Sequence, residues 1–331
     1  MNPLDASKIV AARDRLASGR LVAVPTETVY GLAALASSEA ALRLLFATKG
    51  RPLFDPLIVH VAGIGQAAKL SSDWNSLADF LGRWFWPGPL TIVVKKAPAV
   101  SPLITAGLDT VAIRWSSHPL LNDLLRLLGE PVAAPSANRF GKTSPSRAEH
   151  VRQEFPMDDL LILDGGPCEI GVESTVISAS TSADGAGLVE ILRPGAISKA
   201  DLEVSLTRLS RPTSVRTRDD STATPGSLPH HYMPEVPLAL AAAGATARDV
   251  AERAAGLGLR PKRLTELTLS SDPTLAAREL YAEMRRLSAS GADLLWSREA
   301  SEPRAREKSE SGLWAAIRDR LTRAATYDWR A

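Results

Sequence analysis

The chain has 331 residues, enough for two ordinary domains at roughly 150 residues each. Hydrophobic residues make up 45% and charged residues 23%, the balance of a packed protein rather than a disordered one. A formal charge of +2 gives no global case for nucleic-acid or membrane binding, and the single cysteine, Cys168, excludes an internal disulfide and a cysteine-built metal cluster.

The opening stretch, MNPLDASKIVAARDRLASGR, carries charges throughout and lacks the apolar core of a signal peptide. No run approaches the roughly 18 apolar residues of a membrane span, so a soluble, cytoplasmic protein is expected. Ser7 reads as the N-cap of a first helix, with Ile9, Val10, Arg13 and Leu16 at helical spacing and Gly19 at its end. Residues 21–25, LVAVP, read as a buried strand stopped by Pro25. Further strands are expected at 56–62, 89–96, 110–115, 131–135, 160–164, 174–178 and 188–193, and helices at 38–48, 76–85, 118–128 and 146–154. Several strands are apolar and β-branched on both faces, as a sheet covered by helices on both sides requires. The fold class is α/β with a large mixed sheet over residues 1–206.

Composition changes near residue 207. The following stretch is rich in Ser, Thr, Arg and Pro, and 207–236 reads as a linker. Residues 237–331 then read as a second, smaller α/β domain, with strands at 237–244 and 292–296 and helices at 246–257, 274–289 and 313–325. The charged run at 298–310 reads as a loop within it.

Several familiar motifs are absent. SANRFGKT ends in Gly141-Lys142-Thr143, but Ser136 stands where a phosphate-binding loop needs its first glycine. Five histidines and one cysteine show no zinc-site spacing, and there is no G-x-S-x-G elbow. What remains are polar clusters at strand ends. The loop Pro25-Thr26-Glu27-Thr28-Val29-Tyr30-Gly31 is one, although alone it reads as a strand-to-helix turn. In Lys49-Gly50-Arg51-Pro52 the proline favours extended backbone, which would project Lys49 and Arg51 as a cationic pair suited to polyphosphate. Ser136 and Asn138 follow another apolar strand, where ligands of open α/β sheets sit. His60 and Arg114 lie inside apolar strands. A strand arginine is rarely buried without an anion, so the residues themselves reach as far as an anion- or nucleotide-handling domain.

In this order, PTETVYGL, KGRPLFDPLIVHV, FWPGPLTIVV, VAIRWSSHP, APSANRFGKTSPS, GVESTV and ILRPGAIS resemble the threonylcarbamoyl-AMP synthase family, the YrdC/Sua5 group. TPGSLPHHYMP, LYAEMRRLSASGADLLW and GLWAAIRDRLTRAA resemble the linker and C-terminal signatures of its longer, Sua5-type members. The resemblance implies a YrdC-like twisted mixed sheet followed by a Rossmann-like C-terminal domain. It implies a nucleotidyltransferase that uses ATP with its Mg²⁺, L-threonine and bicarbonate, and hands its product to a tRNA threonylcarbamoyl transferase complex. By the same resemblance Lys49 and Arg51 are catalytic and hold phosphates, with Asp55, Thr110, Ser136, Asn138, Ser144, Arg193 and Tyr232 also on the ATP side. Thr28, His60, Arg114, Ala134 and Ser174 are implied around L-threonine. No protein nucleophile or bound metal is required, and Cys168 reads as a bystander. Trp115-Ser116-Ser117 departs from the apolar or proline-bearing continuation usual after the strand arginine. Two other readings stay open: an O-carbamoyltransferase that forms carbamoyl-adenylate, and an RNA-binding module, although tRNA binding has little support from the charge.

Overall fold

In the computed structural model, which describes residues 3–156, 159–182, 185–218, 231–298 and 312–330, the apolar runs of the first 200 residues join one mixed sheet. Its strands are β1 (Val22–Val24), β2 (Gly31–Leu35), β3 (Ile58–His60), β4 (Leu90–Lys95), β5 (Thr110–Arg114), β6 (Val132–Ala133), β7 (Leu161–Ile162), β8 (Thr175–Thr181), β9 (Gly187–Arg193) and β10 (Thr213–Thr217). They lie in the order β10-β9-β8-β4-β5-β3-β6-β2-β1-β7. β3 and β5 run parallel with His60 beside Arg114, and antiparallel β4 places Thr91 on the other side of Arg114. A polar row therefore crosses three strands, next to Val59, Ile92 and Ile113, which are fully buried and apolar.

The helices fall close to their expected places, at Glu39–Lys49, Ser76–Phe85, Pro119–Leu128 and Ala148–Glu154. Their caps follow from sequence: Ser38 accepts from Ala41 N, and Asn75 accepts from Leu77 N and Ala78 N. The first helix differs from expectation. It spans Pro3–Ala17, so Ser7 lies within it and is not its cap. The loop after Pro25 also differs, because it joins antiparallel β1 and β2 rather than a strand and a helix. The alanine-rich GLAAL segment forms β2 because both neighbouring strands satisfy its backbone.

The segment expected to be a linker contains β10, which extends the sheet by pairing parallel with β9. Residues 219–230 of that segment, including His230, and most of the charged run at 298–310 lie outside the described residues. The C-terminal part has β11 (Leu238–Ala241), β12 (Leu264–Glu266), β13 (Leu294–Arg298) and β14 (Tyr327–Trp329), all parallel in the order β12-β13-β11-β14. Its parallel strands alternate with helices along the chain as in the dinucleotide-binding fold, but they do not have the 3-2-1-4 strand order. No helix among the described residues is long and apolar enough to cross a membrane.

The two parts share one apolar cluster. Val29 and Val172 pack with Ala277, Leu280 and Tyr281 of the helix Pro273–Ala289 and Ile317 and Leu321 of the helix Gly312–Ala324. Gly171 is required there. Its φ is +85°, and a Cβ on it would lie 2.4 Å from the Cα of Arg278.

Candidate active site

The polar row of β3, β4 and β5 opens onto a cavity lined also by the loop after β1, the Ala134–Ser136 strand end, Glu173, Ser174, Arg193, His231 and Tyr232. Arg114 is buried at its wall. Its Nη1 donates to Thr28 Oγ1 at 2.8 Å, and its Nη2 lies 2.8 Å from Glu27 Oε1. Burial opposes the charge on Glu27, but the Arg114 charge and hydrogen bonds from Ser116 and Arg114 outweigh it and bring the carboxyl down to about 2.

Thr26 organises this loop. Its Oγ1 donates to Val29 O at 2.7 Å and accepts from Thr28 N and from Val29 N, each at 3.1 Å, which uses its proton and both lone pairs, and it meets Thr28 Oγ1 at 2.8 Å. His60, next to Arg114, is lowered to about 3 by burial and by the Arg114 charge, so its imidazole is neutral.

On the other side, Arg193 donates to Ser174 O from Nε at 3.2 Å and to Ser174 Oγ from Nη2 at 3.2 Å, while Ser174 Oγ meets Thr91 Oγ1 at 2.7 Å. Arg51 is held by Asp55, with 2.9 Å between Nη2 and Oδ1, and donates to Pro56 O at 2.8 Å. Asp55 does not line the cavity and reaches it only through Arg51. Lys49 departs from the extended cationic pair expected. It closes the helix Glu39–Lys49, and Gly50 caps that helix with a φ of 61°. The Lys49 Nζ donates to Ser136 O at 2.6 Å and to Asn138 O rather than standing free beside Arg51.

Thr28, Arg51, His60, Arg114, Ala134, Ser136, Ser174, Arg193 and Tyr232 thus come together on one cavity. Lys49, Asn138 and Ser144 stand one layer behind it. Asn138 Nδ2 donates to Arg139 O and Lys142 O, and Ser144 Oγ donates to Glu173 Oε1 at 2.6 Å. Thr110 does not join them. It opens β5 opposite Lys95, four residues from Arg114, about 13 Å away along a strand.

Three participants are not among the expected site residues, although they lie within GVESTV, LYAEMRRLSASGADLLW and GLWAAIRDRLTRAA. Glu173 accepts from Ser144, from Tyr281 Oη at 3.0 Å and from Arg320 Nε at 2.9 Å. Burial would raise its carboxyl, but the Arg320 and Arg193 charges draw it below the usual range. Arg320 also lies 5.4 Å from the centre of the Tyr232 ring, and Tyr232 stacks on Tyr281 at 5.8 Å. The C-terminal domain therefore supplies part of the wall's support. Tyr232 reaches it with a φ of 67°, a left-handed conformation rare for a large residue.

The comparisons match this architecture along its length. Residues 14–195 match the family model described as "Telomere recombination", and residues 197–326 match "Threonylcarbamoyl-AMP synthase, C-terminal domain". The threonylcarbamoyl-AMP synthase of Pyrococcus abyssi is 35% identical, with 97% of this chain and 94% of that protein aligned. The chain belongs to the threonylcarbamoyl-AMP synthase family. It is of the long, Sua5-type form. The Bacillus subtilis synthase is 42% identical over 70% of this chain and 66% of its own length. The crystal structure of P. abyssi Sua5 complexed with L-threonine superposes with a TM-score of 0.82 at 32% identity, covering 98% of this chain and 96% of that one. In this synthase family member, the expected two-part α/β fold is present.

Proposed function

We infer that the chain condenses L-threonine, bicarbonate and ATP into threonylcarbamoyl-AMP with release of pyrophosphate, for threonylcarbamoyladenosine in tRNA. The observation that carries this reading is one cavity holding buried Arg114 beside Thr28, with two further buried arginines, Arg51 and Arg193, in the same wall. An α-amino acid offers a carboxylate for Arg114 and a polar group for the Thr28 hydroxyl. A triphosphate suits Arg51 and Arg193.

The threonine nitrogen, as free amine, attacks the bicarbonate carbon, and hydroxide leaves with a proton as water to give a carbamate. A carbamate oxygen then attacks the ATP α-phosphorus, and pyrophosphate departs. Both partners are anionic, so the work of the protein is to hold them together and offset their charge. Neutral His60 contributes a hydrogen bond without adding charge. Lys49 acts through the Ser136–Asn138 loop whose carbonyls it holds. Mg²⁺ would arrive on the nucleotide's phosphates, where it offsets charge. The described residues show no cluster of metal-ligating side chains, so no residue is assigned to it.

The space left in the cavity is about 50 Å³, too little for a nucleotide. The segment of His231 and Tyr232 rests on Met233 N donating to Gly141 O at 2.7 Å and Thr143 N donating to Met233 O at 3.1 Å. Its lifting would admit ATP, and its return would shield the adenylate from water. The product then passes to a tRNA threonylcarbamoyl transferase complex in the cytoplasm.

The test is pyrophosphate release from ATP and bicarbonate, with L-threonine, with serine and with no amino acid. Threonine-dependent release that disappears in Arg51→Ala supports the reading. Release driven only by carbamoyl phosphate would replace it with carbamoyl transfer.

A further inference from the structure

Glu27 does not line the cavity, yet it is 4% exposed and ion-paired to the arginine that does. Behind it stands a chain of side chains from the start of the next helix. Ser116 Oγ donates to Glu27 Oε2, Asn122 Nδ2 donates to Ser116 O at 2.9 Å, and Trp115 Nε1 donates to Asn122 Oδ1 at 2.7 Å. Ser116 Oγ also accepts from His118 N at 3.3 Å, so its single proton is free to go to Glu27. Trp115 and Ser116 are the residues that depart from the usual continuation after the strand arginine.

We propose that Glu27, aimed by Ser116 and Asn122, is the positioning residue for Arg114 and sets the affinity for the amino-acid substrate. A guanidinium on a long stem swings easily unless separate nitrogens have separate fixed partners. Here Nη2 is ion-paired with Glu27, Nη1 donates to Thr28 and Nε donates to Gly88 O at 3.4 Å, so the three nitrogens have separate partners that restrict the plane of the group relative to the cavity. Glu27 in turn has one oxygen on Arg114 and the other on Ser116, so it cannot rotate to follow a displaced arginine. The helix Pro119–Leu128 carries Asn122 and is thereby connected to the amino-acid clamp without touching a ligand. The low value of the Glu27 carboxyl keeps it ionised throughout the neutral range, so the lock does not loosen with ordinary changes of pH.

This inference rests on the synthase reading, and one kinetic series separates the two. Pyrophosphate release by the full chain is measured with threonine varied at fixed ATP, then with ATP varied at fixed threonine. The variants are Glu27→Gln, Ser116→Ala and Trp115→Phe, each with its melting temperature. Loss of one buried hydrogen bond to a charged group should raise KM for threonine about five- to tenfold in Ser116→Ala, more in Glu27→Gln and less in Trp115→Phe, while KM for ATP stays within about twofold. Titration of threonine without ATP should show the same ranking. A rise in both KM values together, or a fall in kcat alone, overturns the positioning role, because a general loss of structure would do that. Should Glu27→Gln fail to fold, Ser116→Ala and Trp115→Phe decide alone, and an unchanged threonine KM in both overturns the proposal. A wild-type chain without threonine-dependent release removes the synthase reading and this inference with it.

Discussion

Arg320, near the end of the helix Gly312–Ala324 in the C-terminal domain, donates from Nε to Glu173 Oε2 at 2.9 Å in the wall of the N-terminal cavity. Both groups are buried, and the carboxylate also receives Ser144 and Tyr281. Removing one member leaves a charge without its partner. Arg320→Met should therefore cost about 3–5 kcal/mol in chemical unfolding and should reduce threonine-dependent pyrophosphate release. Wild-type stability and turnover in that variant would show that the domains work independently.

The same junction depends on backbone contact at Gly171. Any side chain there meets the helix Pro273–Ala289 at 2.4 Å. Gly171→Ala should loosen the docking of the domains at a cost of about 1–3 kcal/mol. Calorimetry should then show two thermal transitions for the variant and one for the parent chain. A single unshifted transition would count against the tight docking.

Glu27 ties stability to acid. Its folded carboxyl lies near 2 against an ordinary value of 4.5. The unfolded chain therefore binds the proton first as pH falls. The contribution, about 3 kcal/mol, is fully present above about pH 4.5 and is lost as pH drops towards 2. Urea unfolding at pH 6, 4 and 3 should show this decline in the parent chain, and a shallower one in Glu27→Gln. Equal slopes would mean that the ion pair is not formed.

Lys49 is 2% exposed and its ammonium is the hydrogen-bond donor for two loop carbonyls. Lys49→Met fills similar volume but leaves those carbonyls unmatched, at about 1–3 kcal/mol. The loss should appear in the melting temperature even in the absence of any substrate. A lysine that met only phosphates would affect activity and leave the melting temperature of the free protein unchanged.

Cys168 is buried, and burial followed by the Glu27 charge pushes its thiol up to about 12. Alkylation by iodoacetamide at pH 8 should be negligible in the native protein and complete after denaturation. Rapid native labelling would mean that the wall beside Glu27 opens readily.

The sheet could be read from the chain wherever strands were apolar and β-branched, as in LTIVVK and TVAIR. GLAAL was missed because alanine has little strand preference, and TSVRT because an edge strand needs few apolar residues. Arg114 was legible because its neighbours Ile113 and Trp115 make an exposed strand implausible. Arg320 was not. In GLWAAIRDRLTRAA it is one arginine among several on an amphipathic helix, and only docking against Glu173 decides which of them is buried. The sequence leads to an extended Lys49 paired with Arg51, whereas Lys49 closes a helix, because Pro52 does not disclose the left-handed glycine cap at Gly50. Thr110 was named only by resemblance, and no wall of the cavity includes it.

The hydroxyl of Thr26 has one further effect. It takes the N–H groups of Thr28 and Val29 and returns its own proton to Val29 O. A loop closed by its own side chain needs no ligand to take shape. The corner beside Arg114 is therefore built before any substrate arrives, and little ordering entropy is left to lose on binding.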